Sequence, residues 1–286
     1  MIQLRNSLAE CHFPSGREDD ALLHKTTQLG IGAHQDDLEI LAIPGILAGY
    51  EQEDQSFTGV TVTDGRGAPR SGDYADLTDD EMWQVRLGEQ RQAADIGHYL
   101  AQFQLNYTSA QAKSPQREDI ITDLMTIIRA CQPDIIYTHN LADKHDTHVA
   151  VALSVIEALR RLGQDAMDIT VYGSEIWRGL DWLPDELKVP LDVSRHPDLQ
   201  MALLQAFTSQ ISGGKRYDLA TMGRRLANAT YYQSHHTDQA EMLTYAMDLT
   251  PLIKNPQLSV GEYVDQAIQS LAEDVQERLG RLQGYS

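Results

Sequence analysis

Two short clusters of histidine and carboxylate side chains carry the chemistry that this sequence could perform. The first cluster is AHQDDLE at 33–39, and the second is THNLADKHDTH at 138–148. Imidazole and carboxylate groups suit Zn²⁺, and a catalytic zinc takes three protein ligands and leaves one position for water. One histidine and one acid from the first cluster, with a histidine from the second, would complete that set. Another acid would remain to act as general base.

The spacing within the clusters leaves the individual roles open. Asp36 or Asp37 could be the carboxylate ligand, and the second histidine could be His139, His145 or His148. Helix capping is the competing explanation, because acids that follow a strand often stabilise the N-terminus of the next helix. Histidines three residues apart can also lie on one solvated helical face. The occurrence of a cluster at each of two strand ends favours a metal site.

Alternating strand and helix patterns predict how the clusters are positioned. Strands are predicted at 28–33, 58–65, 134–139 and from 168, and helices at 38–52, 78–101, 117–131, 147–162, 197–212 and 217–233. This alternation predicts βαβ units in an α/β fold, with a largely parallel sheet flanked by helices. Ligands bind outside the carboxyl ends of the strands in such sheets, so both clusters should face one site.

Length and composition limit the class of protein. The chain has 286 residues, two distant cysteines and a formal net charge of −19. The length predicts a single domain at 27–257, with an N-terminal extension at 1–26 and a C-terminal helical tail at 258–286. The acidic charge would repel nucleic-acid phosphates and anionic membranes, so neither is expected as a partner. The sequence has no recognisable secretory signal or membrane-spanning run, which predicts a cytoplasmic protein.

Ordered sequence blocks resemble the PIG-L/LmbE-like N-deacetylase family over roughly residues 28–212. AHQDDLEI resembles that family's AHPDD-x-E signature, and DKHDTH resembles its second signature, an acidic residue followed by H-P-D-H. The further blocks that are similar to the family are VTDGRG at 62–67, RLGEQRQAADIG at 86–97, SEIWRGLDW at 174–182, PLDVS at 190–194 and AFTSQ at 206–210. Each block alone is weak, but an ordered set is improbable by chance.

The resemblance implies a Rossmann-like sheet and metal-dependent hydrolysis of an N-acetyl group, mostly on glucosamine-containing conjugates. By position in the motifs, His34, Asp37 and His148 would bind one Zn²⁺ per chain, or another divalent metal. Asp36 would be the general base. His145 would be the second acid/base group or would stabilise the oxyanion.

The chain departs from the family pattern at both signatures. Gln35 replaces the usual proline of the first signature, and Thr147 stands where the family has the aspartate that orients the first histidine of the second. We therefore expect either that Asp143 or Asp146 orients His145, or that the His145 imidazole is less polarised than in the family. The glycines that usually follow the first signature are replaced by bulkier residues, which should narrow the space beside the site; these residues are Leu41, Ile43 and Pro44.

Other side chains are candidates for supporting roles. Glu39 could hydrogen-bond a ligating histidine, and Arg66 and Arg178 could hold a polar group of the substrate. Trp177 and Trp182 could stack on a sugar ring, although large aromatic residues in such loops more often belong to the core.

These observations predict a zinc-dependent hydrolase that removes an acetyl or other acyl group from a small, amino-sugar-like N-acylated amine. A homo-oligomer is compatible with the sequence. One alternative is a family member that binds metal without turnover, which the altered block around His145 motivates. Another is a deacylase of a non-sugar amide. A phosphoesterase is less favoured, because that chemistry usually needs two metals and only one ligand set is evident.

Overall fold

The computed structural model describes residues 2–284, apart from residues 18, 51, 53 and 213. The strands are β1 Glu10–His12, β2 Gln28–Gly32, β3 Phe57–Thr63, β4 Ala101–Tyr107, β5 Ile135–His139, β6 Thr170–Ser174, β7 Lys188–Asp192 and β8 Leu243–Asp248. The α-helices are α1 Leu38–Leu41, α2 Ile43–Gly49, α3 Asp79–Ile96, α4 Ser109–Lys113, α5 Glu118–Cys131, α6 Asp146–Leu162, α7 Pro197–Gln205, α8 Thr208–Ile211, α9 Tyr217–Tyr231, α10 Thr250–Lys254 and α11 Val260–Gln283.

The eight strands form one sheet in the order β1-β4-β3-β2-β5-β6-β8-β7. The five strands from β4 to β6 in this order are parallel, whereas β1, β8 and β7 pair antiparallel with their neighbours. The chain runs outward from β2 through β3 to β4 and then returns to β5 on the other side of β2. This reversal makes a topological switch point between β2 and β5, where ligands bind in sheets of this kind.

Helices cover both faces of the sheet, which confirms the predicted Rossmann-like α/β fold with a largely parallel sheet. On one face, α5 and α6 bury apolar side chains such as Leu124 and Val155 against Ile31 of β2. On the other face, the first helices after β2 pack with α3 and α7, and Leu41 and Leu203 lie in that second core. Apolar burial on both faces of β2 explains why the whole strand is inaccessible to solvent.

Several element boundaries differ from the sequence-based predictions. The helix predicted at 38–52 is divided at Ala42 into α1 and α2, and Pro44 lies in the first turn of α2, where its missing N–H costs no helical hydrogen bond. The segment 178–196, predicted to be irregular, contains edge strand β7 with Pro190 inside it. Strand β8 was also not predicted. The segment predicted to be helical at 217–233 is helical in the structure and forms α9.

The two predicted extensions both contact the central domain. In the N-terminal one, β1 pairs with β4, and the backbone N–H of Arg5 donates to Asp123 Oδ1 at 2.6 Å. In the C-terminal one, the side chains of Tyr263 and Val264 on α11 pack against the core. The proposed boundaries at 26 and 257 remain predictions. None of the helices in the described part of the chain combines the length and apolar character that a bilayer crossing requires.

A glycine in β2 tests how tightly the sheet packs beneath the site. A Cβ atom on Gly30 would lie 2.7 Å from Phe57 Cζ and 2.9 Å from Ala42 Cβ. We expect Gly30→Ala to lower the free energy of unfolding by about 1–3 kcal/mol because of this overpacking. Gly88→Ala, at an exposed position of α3, has open space around it, so it should leave stability unchanged or raise it by up to about 1 kcal/mol. Urea denaturation measures both, and equal midpoints would contradict the tight packing.

Candidate metal centre and active site

The turn that follows β2 holds the first cluster in a compact shape. The backbone N–H of His34 donates to Asp37 Oδ2 at 2.6 Å, and Asp37 is the residue from which α1 begins. Between them, Asp36 adopts a φ of 91°, a backbone conformation that non-glycine residues rarely adopt. Gln35, which replaces the family's proline, is buried and donates its side-chain amide to the carbonyl oxygen of Thr63 at 3.1 Å. This hydrogen bond fixes the turn against β3.

His34, Asp37 and His148, the residues that the motifs assign as metal ligands, converge at the switch point. Their donor atoms all lie within 4.8 Å of one another. His34 Nδ1 is 3.2 Å from His148 Nε2, and the two imidazoles are each 3.4 Å from an oxygen of Asp37. In a tetrahedral zinc site with bonds of about 2.1 Å, neighbouring ligand atoms are separated by roughly 3.4 Å. The donor set therefore matches a single divalent ion in both chemistry and spacing.

Burial sets the protonation states of this group. Burial lowers the pKa of His148 to about 4, so this imidazole is neutral at physiological pH. Burial also acts to raise the pKa of Asp37, but the neighbouring imidazoles and their hydrogen bonds outweigh it and hold that pKa well below its ordinary value. An ionised carboxylate and a neutral imidazole are the forms that bind a metal ion.

His139 lies behind the three donors. It is fully buried at the end of β5, and its Nε2 accepts a hydrogen bond of 2.8 Å from the backbone N–H of Ala33. Its ring stacks on that of His148 with centroids 4.0 Å apart. Since Nε2 is occupied by this backbone contact, His139 fixes the relative position of the two strand ends and orients His148.

Asp36 lies beside the three donors in a different environment. Its Oδ2 accepts a hydrogen bond of 3.0 Å from Arg86, whose guanidinium also donates to Glu89 and to the carbonyl oxygen of Gln35. The Asp36 side chain is 18% exposed, whereas that of Arg86 is 2% exposed. Burial raises the pKa of Asp36 to about 6, and the Arg86 charge opposes this shift. A carboxylate with such a pKa can exchange protons near neutrality.

His145 forms the open side of the cluster. Its ring centroid is 4.9 Å from that of His34 and 4.6 Å from that of His148. The backbone N–H of Thr147 lies 3.3 Å from His145 Nδ1, which accepts this hydrogen bond. The ring proton of neutral His145 is then on Nε2, which can act as a donor.

Asp143 orients His148 and not the His145 ring. Its buried side chain approaches His148 Nδ1 at 3.3 Å and accepts hydrogen bonds from three backbone N–H groups, those of His145, Trp177 and Arg178. Burial acts to raise the pKa of Asp143, but the contact with His148 and these hydrogen bonds lower it to about 2. Asp146 is exposed in the first turn of α6. Of the alternatives predicted for His145, orientation of its ring by Asp143 or Asp146 is therefore wrong, and the less polarised imidazole is the one that remains.

The remaining predicted site residues take structural positions. Glu39 does not contact a ligating histidine; its Oε1 accepts hydrogen bonds from Gln90 (2.9 Å) and Tyr99 (2.8 Å). Arg66 pairs with Asp64 at 2.6 Å, and Arg178 donates its side chain to the carbonyl oxygen of Ala142. The bulkier residues that replace the family's glycines do not narrow the site as predicted, because two of them are fully buried in the core, namely Leu41 and Ile43.

Sequence reasoning missed two side chains at the site. Arg86 lies within a block that resembles the family, so its contact with Asp36 could have been anticipated from that block. Tyr217, at the start of α9, lies outside every such block; burial, together with the nearby charges of Asp36 and Asp37, raises its pKa to about 12. The Tyr217 ring packs edge-to-face on Trp177 at 5.6 Å, and Lys215 Nζ lies 4.6 Å from the Trp177 ring centroid. We refer to Trp177, Lys215 and Tyr217 as the aromatic rim.

Comparison with known proteins places this geometry in context. Residues 29–159 match the family model described as PIG-L, GlcNAc-PI de-N-acetylase. The matched segment begins in β2 and ends in α6, so it contains both histidine and carboxylate clusters.

Solved structures share the fold at low sequence identity. The 4-carboxy-2-hydroxymuconate hydratase GalB from Pseudomonas putida KT2440 has a TM-score of 0.60 at 18% identity, covering 78% of this chain and 96% of that one. The N,N'-diacetylchitobiose deacetylase from Pyrococcus horikoshii has a TM-score of 0.58 at 18% identity, with coverages of 76% and 82%. The A40926 pseudoaglycone deacetylase Dbv21 has a TM-score of 0.57 at 16% identity, with coverages of 78% and 97%.

These neighbours are named for different reactions, one as a hydratase and two as deacetylases. At 16–18% sequence identity they establish the fold and not the reaction. The family model matches residues 29–159, and the two signature motifs within that segment converge at the switch point. The chain therefore carries, in residues 29–159, the domain of the PIG-L/LmbE-like family.

Proposed function

We propose that this protein is a metal-dependent hydrolase that removes an acetyl or related acyl group from the nitrogen of a small amine. The observation that carries the proposal is a set of three converging metal donors with a further carboxylate, Asp36, held beside them by Arg86. The family model named for a de-N-acetylase and two neighbours named as deacetylases support the same reaction class.

His34, Asp37 and His148 would hold the metal ion. The neutral state of His148 and the ionised state of Asp37 favour binding without the prior loss of a proton. A Zn²⁺ or another divalent ion held there would polarise the acyl carbonyl and acidify the attacking water. Asp143 would increase the basicity of His148 through their contact, as carboxylates beside ligating histidines commonly do.

Asp36 would act as the general base. Its carboxylate would take a proton from the water molecule that attacks the acyl carbon, and could return that proton to the departing amine. Arg86 binds Oδ2 and so fixes the direction of the carboxylate, which leaves Oδ1 to accept the proton. The strained backbone at Asp36, held by the hydrogen bonds of the turn, keeps the side chain in this position.

His145 would assist on the open side of the site. With Nδ1 held by the backbone of Thr147, its Nε2–H can donate to the oxygen that becomes negative as the acyl carbon turns tetrahedral. The same group could protonate the leaving nitrogen. Orientation of the His145 ring does not require the aspartate that the family has in place of Thr147, because the backbone N–H of Thr147 holds the ring.

The aromatic rim supports a ring-containing substrate. Trp177 is 37% exposed, its backbone N–H donates to Asp143 beside His148, and the Tyr217 ring packs against the Trp177 ring at 5.6 Å. Aromatic faces pack well on the apolar face of a sugar ring, with hydroxyl groups left for polar contacts. We therefore place an amino-sugar-like N-acylated amine above an acyclic amide as the substrate class.

The metal assignment can be tested by measuring bound zinc. We expect the purified protein to bind about one equivalent of zinc, and His148→Ala and Asp37→Asn to lose nearly all of it, because each removes one of three ligands. His235→Ala removes an exposed histidine far from the motifs and is the matched control. Elemental analysis after dialysis gives the stoichiometry. Full occupancy in the His148 variant would exclude this ligand set.

The role of Asp36 can be separated from that of Asp37. Asp36→Asn should retain the metal and lose on the order of 100-fold or more in kcat, because the general base is removed. Asp146→Asn makes the same change in an exposed residue at the start of α6 and should leave kcat unchanged. Steady-state kinetics with metal analysis of the same samples measure both effects. A near-normal rate in the Asp36 variant would show that this residue is not the base.

The substrate class can be tested by acetate release from zinc-loaded protein. We expect acetate from N-acetylglucosamine or its simple glycosides and little from N-acetylated amino acids, since the aromatic rim favours a ring. Release from the amino acids alone would replace the substrate class while retaining the hydrolase. No release from any compound, with zinc bound, would favour a metal-binding protein without this turnover.

A further inference from the structure

The C-terminal helix α11 extends beyond the body of the protein. It runs from Val260 to Gln283, 24 residues in all, which corresponds to a length of about 36 Å. Its first part is anchored: Tyr263 and Val264 pack against the main core, and Ala267 is buried. From Ala272 to Leu279 every residue is exposed.

The extended part carries an apolar stripe of five residues, which are Ile268, Leu271, Val275, Leu279 and Leu282. Four of them are 43–76% exposed, and Leu271 is partly covered. The steps between them are three or four residues, so all five lie within an arc of about 80° on one side of the helix. Val264, which contacts the core, lies on the same line. The stripe therefore continues the packed face of α11 beyond the domain.

A helix in this position needs a partner surface. About twelve residues of helix with no tertiary packing are only marginally stable in water, and Gly280 lowers the helix propensity of this segment further. Large apolar side chains aligned on one face also mark interaction sites when they are solvent-exposed.

We propose that this stripe pairs antiparallel with the same stripe of a second copy of the chain. Antiparallel pairing is favoured first by shape, because the domain covers only the N-terminal part of α11. Two helices that run in opposite directions put the two domains at opposite ends of the pair. Parallel pairing would bring both domains to the same end, where they would compete for the same space.

Charge favours the same orientation. The helix carries five acids before residue 278 and two arginines after them; the acids are Glu262, Asp265, Glu273, Asp274 and Glu277, and the bases are Arg278 and Arg281. In the antiparallel register, Arg281 of each helix is level with Asp265 of the other. Glu273 and Asp274 of the two copies meet only near the symmetry axis, where Arg278 of the same helix pairs with Asp274. The helix dipoles are also opposed, which is favourable. Parallel pairing would align acidic segment with acidic segment.

The proposed pairing has a definite register. Ile268 of one copy would lie near Leu279 of the other, and Leu271 near Val275, with the symmetry axis close to residue 273. Such an isologous contact closes as a dimer and does not propagate. The interface lies outside the segment matched by the family model, and it contains none of the residues proposed to take part in the reaction.

Sedimentation of the full chain tests the interface. We expect a dimer at micromolar concentration, and Val275→Glu/Leu279→Glu should weaken it on the order of 100-fold by burying charge at the contact. Gln266→Glu/Gln269→Glu adds the same charge on the opposite, exposed side of α11 and should remain dimeric. Circular dichroism verifies that each variant is folded. A monomeric wild type, a stripe variant that still dimerises, or dissociation of the control would each overturn the proposal.

Disulfide trapping tests the orientation. In a Cys11→Ser background, Ile268→Cys and Leu279→Cys proteins should cross-link when mixed and not when oxidised separately. In the antiparallel register, two copies of residue 268 lie about 16 Å apart along the helices, too far for a disulfide. Cross-linking of either protein with itself, without the mixed product, would establish parallel pairing and contradict the proposed orientation.

Discussion

A buried carboxylate, that of Asp37, lies among three imidazoles and accepts a hydrogen bond from the backbone of His34. An ionised group is costly to bury unless its surroundings supply compensating charge and hydrogen bonds. The segments that follow two strands supply these partners for Asp37. The turn after β2 supplies the backbone N–H of His34, and β5 and α6 supply the imidazoles of His139 and His148. The switch point of the sheet brings these elements together, so the order of the strands determines whether the carboxylate can be accommodated.

A second set of contacts surrounds this group. Arg86 on α3 donates to Asp36 and to the carbonyl oxygen of Gln35, both in the turn after β2. It also contacts Glu89 on α3 and Ser209 on α8. Asp143 connects the loop before α6 to the loop that carries Trp177. The candidate chemistry is thus held by side chains from segments that are far apart in sequence, and each of them is buried. Such preorganisation keeps reacting groups within narrow geometric limits.

Sequence reasoning reached the parts of the site that lie in linear motifs. The two clusters were located because each follows a strand whose position in a parallel sheet is predictable, and the resemblance to the PIG-L/LmbE-like family then selected His34, Asp37 and His148 among the candidates. The partner of Asp143 could not be assigned, because the backbone donors from Trp177 and Arg178 that fix its carboxylate come from another loop. Tyr217 reaches the site only through the tertiary packing of α9. Strands β7 and β8 pair antiparallel at the far side of the sheet, where the βαβ alternation that guided the other assignments is absent.

The two ends of the strand order have a consequence for self-association. One edge of the sheet is the three-residue strand β1, and the other is β7, in which Pro190 lacks a backbone donor. Short edge strands and edge prolines are features that prevent sheets from joining edge to edge. Neither border offers the long row of unpaired amides that a neighbouring sheet would need to extend the ladder. Growth into a continuous cross-molecular sheet is therefore blocked at both sides, and ordered contacts between copies are restricted to helical and loop surfaces.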